Sequence, residues 1–181
     1  MIRPLALLAV ALAMLPLEPS SGSPTPPSPF SPRFKGDALV QPTGYDTWPL
    51  VGSSLGLSYS GRPDNGPGTF HRVYMNPTAY DAFKKTGRFP EGTTFVLESY
   101  EAQEKKSIAQ GGYTEGARVG LDASVKDKSR YPDGWAYFNF DNGAATTAKA
   151  LPDARCHSCH LAHGEKDSVF VQFYPNLRRG P

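Results

Sequence analysis

Cysteine is scarce in this chain. Only two occur among 181 residues, Cys156 and Cys159, so a disulfide-stapled scaffold is excluded. Of the three methionines, only Met75 lies beyond residue 14, which leaves little choice for a thioether metal ligand. No apolar run reaches the roughly 20 residues of a bilayer span; the longest, Leu5 to Leu17, is broken by Pro16. Charge of one sign is also lacking. The formal net charge is +2 with no Lys/Arg stripe, which argues against nucleic acid or an acidic membrane surface as the main partner. Sustained Ala/Glu/Lys/Leu heptads are missing, so a long coiled coil is excluded.

Turn formers are abundant, with 18 Gly and 18 Pro, a density that disfavours a helical bundle. Arg3, the apolar run and the small polar residues Ser20 to Ser23 are laid out as a secretory signal peptide over residues 1–23, implying export to the periplasm or beyond. No cysteine lies near that junction to carry a lipid anchor. The stretch SPTPPSPFSP, residues 23–32, loses a backbone donor at each of its five prolines and favours extended polyproline. Residues 24–44 therefore read as a disordered spacer ahead of one domain over 45–181.

Within that domain the apolar pattern is mostly period two. Phe70–Met75, Thr93–Tyr100, Ala117–Val125 and Trp135–Asp141 alternate as strands. Turn chemistry precedes three of them, at Pro90-Glu91-Gly92, Gly111-Gly112 and Pro132-Asp133-Gly134. The connections are too short for parallel crossovers, so the expected fold is α+β, predominantly antiparallel sheet with a few short helices. One helix is signalled by Asn76 as N-cap, Pro77 at its first position and Gly87 as its left-handed stop. A second is expected over Ala144–Leu151.

The chemistry concentrates in Cys156-His157-Ser158-Cys159-His160, a C-x-x-C-H motif. On a helix Cys156, Cys159 and His160 share a face. Two thiols so placed can add to the two vinyl groups of a haem, leaving His160 to bind the iron. A thioredoxin-like disulfide needs a βαβ domain after the motif, and only 21 residues follow His160. Zinc held by these residues and His163 would have its ligands on one helical face, which cannot surround a tetrahedral ion. A plain disulfide is compatible but leaves His160 unexplained. One covalent haem c per chain, on a helix near the C-terminus, is the expectation. A His/Met electron carrier fits poorly, because Met75 lies upstream of the motif.

Four stretches carry a further likeness: HRVYMNPTAYDAFKKTGRFPEGTTFVLE (His71–Glu98), GLDASVKD (Gly120–Asp127), CHSCH (Cys156–His160) and VFVQFYPNLR (Val169–Arg178). In order and spacing the chain resembles the cytochrome P-460 and cytochrome c′-β proteins. The resemblance implies a β-rich, exported homodimer with one five-coordinate haem c whose distal side is open to small molecules. P-460 members oxidise hydroxylamine or nitric oxide, and c′-β members bind nitric oxide.

Two positions separate these branches. P-460 members carry a Lys that cross-links to the haem in a V-K-E setting, which here reads Val96-Leu97-Glu98; Leu97 offers no nucleophile. The family's distal proton-accepting carboxylate matches Asp122, and burial beside a haem would raise its pKa toward a working base. Both an oxidoreductase and a ligand-binding protein, either of them served by a soluble redox partner, stay open at this point. Weaker candidates are His71 as a sixth ligand, Arg72 and Arg118 as propionate partners, and the aromatic set Phe95, Trp135, Tyr137, Phe138, Phe140, Phe170, Phe173 and Tyr174 as core or pocket lining.

Overall fold

A computed structural model describes residues 28–57, 66–104, 108 and 110–178. The expected signal peptide lies outside these residues. Five strands form a sequential antiparallel sheet: β3 (Leu50–Leu55), β4 (Thr69–Met75), β5 (Thr94–Glu104), β6 (Tyr113–Lys126) and β7 (Trp135–Asn139). A second antiparallel sheet joins β1 (Phe34–Lys35), β2 (Ala38–Val40) and β8 (Thr147–Lys149). The helices are short: α1 (Pro77–Thr86), α2 (His157–His163) and α3 (Pro175–Arg178). The α+β expectation and the helix near the C-terminus are both met. No described helix is long and apolar enough to cross a membrane.

Alternation along the strands divides the large sheet into two faces. Tyr74, Val96, Ala123 and Phe138 fall in one cross-strand row and pack against the small sheet, where Leu39 is fully buried. One residue along, the row Val73, Leu97, Asp122 and Asn139 faces the other way. On that side Met75, Phe83, Phe89, Phe95, Trp135 and Leu177 form a second core with the helices. A one-residue slip would exchange these two sets, which is why burial on both faces fixes the register.

Helix α1 begins and ends where Pro77 and Gly87 require, with Gly87 at φ 66°. Asn76 differs from expectation, since its side chain makes no cap bond. Its amide donates to the carbonyls of Phe30 and Gly92, each at 3.2 Å, and its Oδ1 accepts from the Thr94 amide at 2.9 Å. The residue therefore ties the N-terminal segment to the turn before β5.

Two expectations are corrected. Residues 34–40, assigned to the disordered spacer, carry β1 and β2: the Pro-rich run stops at Pro32, and Gly36 at φ 62° turns the chain so that Leu39 reaches the core. The helix expected over Ala144–Leu151 is instead strand β8, its Ala148 paired with Leu39. Asp141, Asn142 and Gly143, all at positive φ, break the chain ahead of it, and Thr146-Thr147 favours the extended state. Strand β3, interrupted by a bulge between Leu50 and Gly52, carries no clean alternation and was not legible in advance.

Candidate functional site

Helix α2 is laid against the second face of the large sheet and positions the C-x-x-C-H motif. Cys156 is its N-cap, and the His160 amide bonds the Cys156 carbonyl at 3.1 Å. Both thiols are free and half-buried. Cys156, Cys159 and His160 line one cavity of ≈ 640 Å³, as the shared helical face required. Burial, followed by the Asp122 carboxylate, pushes the Cys156 thiol up.

His160 is held in one orientation. Its Nδ1 lies 2.9 Å from the Ser168 carbonyl, which can only accept. Nδ1 therefore carries the proton, and Nε2 keeps its lone pair. The ring is gripped between Tyr137 and Phe170, with centroids at 4.5 Å and 4.4 Å. Burial holds the imidazole below its ordinary pKa, so it stays neutral and able to ligate at neutral pH.

The cavity walls are aromatic and apolar. Phe95, Trp135, Tyr137, Phe170, Phe173 and Tyr174 line the cavity, whereas Phe138 and Phe140 are in the core behind the sheet. Most of the aromatic set thus serves the pocket, more than composition suggested. Among the described residues, Trp135 Nε1, the Tyr137 hydroxyl and both ring nitrogens of His157 are buried without a hydrogen-bond partner, and Trp135 and Tyr137 line the cavity. Such orphaned groups are uncommon in a finished interior. Together with two free thiols and an oriented imidazole, they fit a large, mostly apolar group that carries a few polar atoms.

Leu97 and Asp122 are direct cross-strand partners on β5 and β6, and both line the cavity. Desolvation raises the Asp122 pKa, opposed by the hydrogen bond from Asn139, at 2.8 Å, and by the charges of Arg155 and His71. His71 also faces the cavity. Its Nδ1 is 3.3 Å from Ser54 Oγ and its Nε2 3.2 Å from Thr69 Oγ1, and burial lowers its pKa. Hydroxyls can donate or accept, so either protonation state of His71 is satisfied. Met75 belongs to the core cluster and is not a lining residue.

Arg72 and Arg118 do not reach the cavity. Arg72 is paired with Glu115, and Arg118 donates to Tyr45 Oη at 3.1 Å and the buried Glu98 at 3.3 Å on the opposite face. The arginine at the cavity is Arg155, and its place immediately before Cys156 was the available signal. His157 is buried beneath the helix, 4.0 Å from Asp133, and His163 is exposed.

A helix that offers two thiols and one oriented imidazole to an aromatic-lined cavity defines the class: a β-rich haem-binding protein. Residues 42–171 match the model of the Cytochrome P460 family, and the chain belongs to that family. None of the curated proteins matches it.

Proposed function

We propose that this chain is an exported mono-haem c protein whose open distal cavity binds small nitrogen oxides, nitric oxide above all, on a haem without a lysine cross-link. Cys156 and Cys159 would hold the haem through thioether bonds, and His160 Nε2 would be the sole protein ligand of the iron. The haem supplies a ferrous iron able to take a diatomic ligand. The observation that carries the reading is Leu97, which stands in the cavity wall opposite Asp122 where the family's cross-linking members have a lysine. An aliphatic side chain forms no bond to the macrocycle, so the ring keeps ordinary porphyrin electronics. Residence in the periplasm and a homodimeric state accompany this proposal, as does a soluble redox partner.

Asp122 supports a second reading, a hydroxylamine or nitric oxide oxidoreductase. A desolvated carboxylate with a raised pKa can take a proton from a bound substrate near neutral pH. The two readings part in solution. Ferrous protein should bind nitric oxide while oxidising hydroxylamine slowly, and Asp122→Ala should change the residual turnover more than gas affinity. Rapid hydroxylamine oxidation with Leu97 in place would establish the oxidoreductase instead.

A further inference from the structure

Lys126 is a buried cation that ligand binding does not use. It stands at the end of β6, four residues beyond Asp122, and is 8% exposed. Its backbone is locked to the turn before β5: the Lys126 amide bonds the Thr93 carbonyl at 2.9 Å, and its own carbonyl accepts from Gly92 at 2.9 Å. From this fixed base Nζ donates to the Phe89 carbonyl at 2.8 Å and to Asp167 Oδ2 at 2.6 Å.

Asp167 and the residue after it are unusual. Asp167 has φ 50° and Ser168 φ 58°, two consecutive non-glycine residues in the left-handed region, where L side chains are crowded. Such a pair persists only where its surroundings over-determine it. Here the surroundings are visible. Lys126 holds the Asp167 carboxylate, the neighbouring Lys166 donates to the Gly87 carbonyl at 3.3 Å, and a bridge joins Lys166 to Val169. The result of this strained turn is one aimed group, the Ser168 carbonyl 2.9 Å from His160 Nδ1.

We propose that Lys126 is a positioning residue for the proximal ligand, acting through Asp167 and the Ser168 carbonyl to fix the orientation and donor strength of His160. The proposal rests on the reading of His160 as the iron ligand. A firm Nδ1–H···O=C bond gives the imidazole partial imidazolate character and strengthens its bond to iron. Releasing Asp167 lets the two left-handed residues relax, and the carbonyl retreats from Nδ1. β6 then carries both roles, with Asp122 lining the cavity and Lys126 beneath the loop whose carbonyl meets His160.

The test is resonance Raman spectroscopy of the ferrous holoprotein, reading the iron–imidazole stretching band, with the midpoint potential as a second readout. Lys126→Met and Asp167→Ala should each move the band to lower frequency and the potential upward, and Lys126→Arg should restore most of the wild-type values. Because both residues act through one carbonyl, the double variant should shift no further than either single one. The half-exposed Asp167 side chain can be removed without opening the core, so this arm stands even if Lys126→Met fails to accumulate. An unmoved band in folded Asp167→Ala, or additive shifts in the double variant, would overturn the relay alone. A wild-type protein with attached haem and no iron–imidazole band would overturn the assignment of His160 and the relay with it.

Discussion

Gly164 ends α2 at a point where the returning chain leaves no room for a side chain. Its φ is −68° and ψ 122°, a conformation open to any residue, so the demand for glycine is purely steric. A Cβ there would stand 2.6 Å from the His160 carbonyl oxygen, 2.6 Å from the Ser168 carbonyl carbon and 2.7 Å from the Val169 amide nitrogen. All three are backbone atoms, which cannot rotate away. Gly164→Ala must therefore push the 165–169 loop off the helix and stretch the bond between Ser168 and His160. Overpacking of this kind costs about 2 kcal/mol, and the lost hydrogen bond about 1 kcal/mol. In a domain of this size about 3 kcal/mol lowers the melting temperature by roughly 9 °C. Thermal unfolding followed by circular dichroism measures the loss, and the Raman iron–imidazole band should soften in the same variant. A melting temperature within about 1 °C of wild type, with the band unmoved, would refute the claim that the loop is seated on the helix as described.

Asn76→Ala should cost about 2 kcal/mol in chemical denaturation, because it strands the buried Thr94 amide and removes a donor from the Phe30 and Gly92 carbonyls, of which Gly92 keeps Thr94 Oγ1; an effect under about 0.5 kcal/mol would show those groups find other partners. His71 has a folded-state pKa below its ordinary 6.5. Its neutral form is therefore favoured in the native state, and it subtracts stability as pH falls through 6.5 toward the folded value. His71→Gln should flatten that part of the pH–stability curve between wild type and variant, and parallel curves would argue against a desolvated His71. Asp122 has the opposite sign: its folded pKa is raised, so its ionisation costs stability as pH rises past the unfolded value near 3.8. Asp122→Asn should narrow the gap between acidic and neutral stability. Intact-mass spectrometry of protein exported with haem-maturation machinery should show one haem per chain, lost when both Cys156 and Cys159 are replaced by Ala; apoprotein with a Cys156–Cys159 disulfide would contradict thioether attachment.

How far the sequence disclosed this protein depends on the range of the forces involved. Period-two alternation along Phe70–Met75 and Trp135–Asn139 is a local signal, and the strands were legible from it. The C-x-x-C-H spacing is likewise local and brought Cys156, Cys159 and His160 to one cavity as expected. The Ala-rich composition around β8 is as compatible with a helix as with a strand until β2 lies beside it. Leu39 carries no local sign of order for the same reason, since its burial depends on Ala148, a partner over 100 residues away. Arg72 shares the Tyr74 side of β4 and pairs with Glu115. Arg118 has the parity of Asp122 but is turned to the other face by the register shift beside Tyr100, where it pairs with Glu98, so neither reaches the cavity that Arg155 lines. The Ser168 carbonyl could not be foreseen, because two left-handed residues at Asp167 and Ser168 have no glycine to mark them.

The central claim is an unmodified haem c with an open site beside Leu97. The visible absorption spectrum of the purified ferrous protein, recorded during titration with nitric oxide, tests it most directly. An ordinary, high-spin haem c spectrum that converts completely at one equivalent of nitric oxide per chain is the expected result. A red-shifted band of a cross-linked macrocycle, or a low-spin ferrous spectrum that nitric oxide does not change, would contradict it.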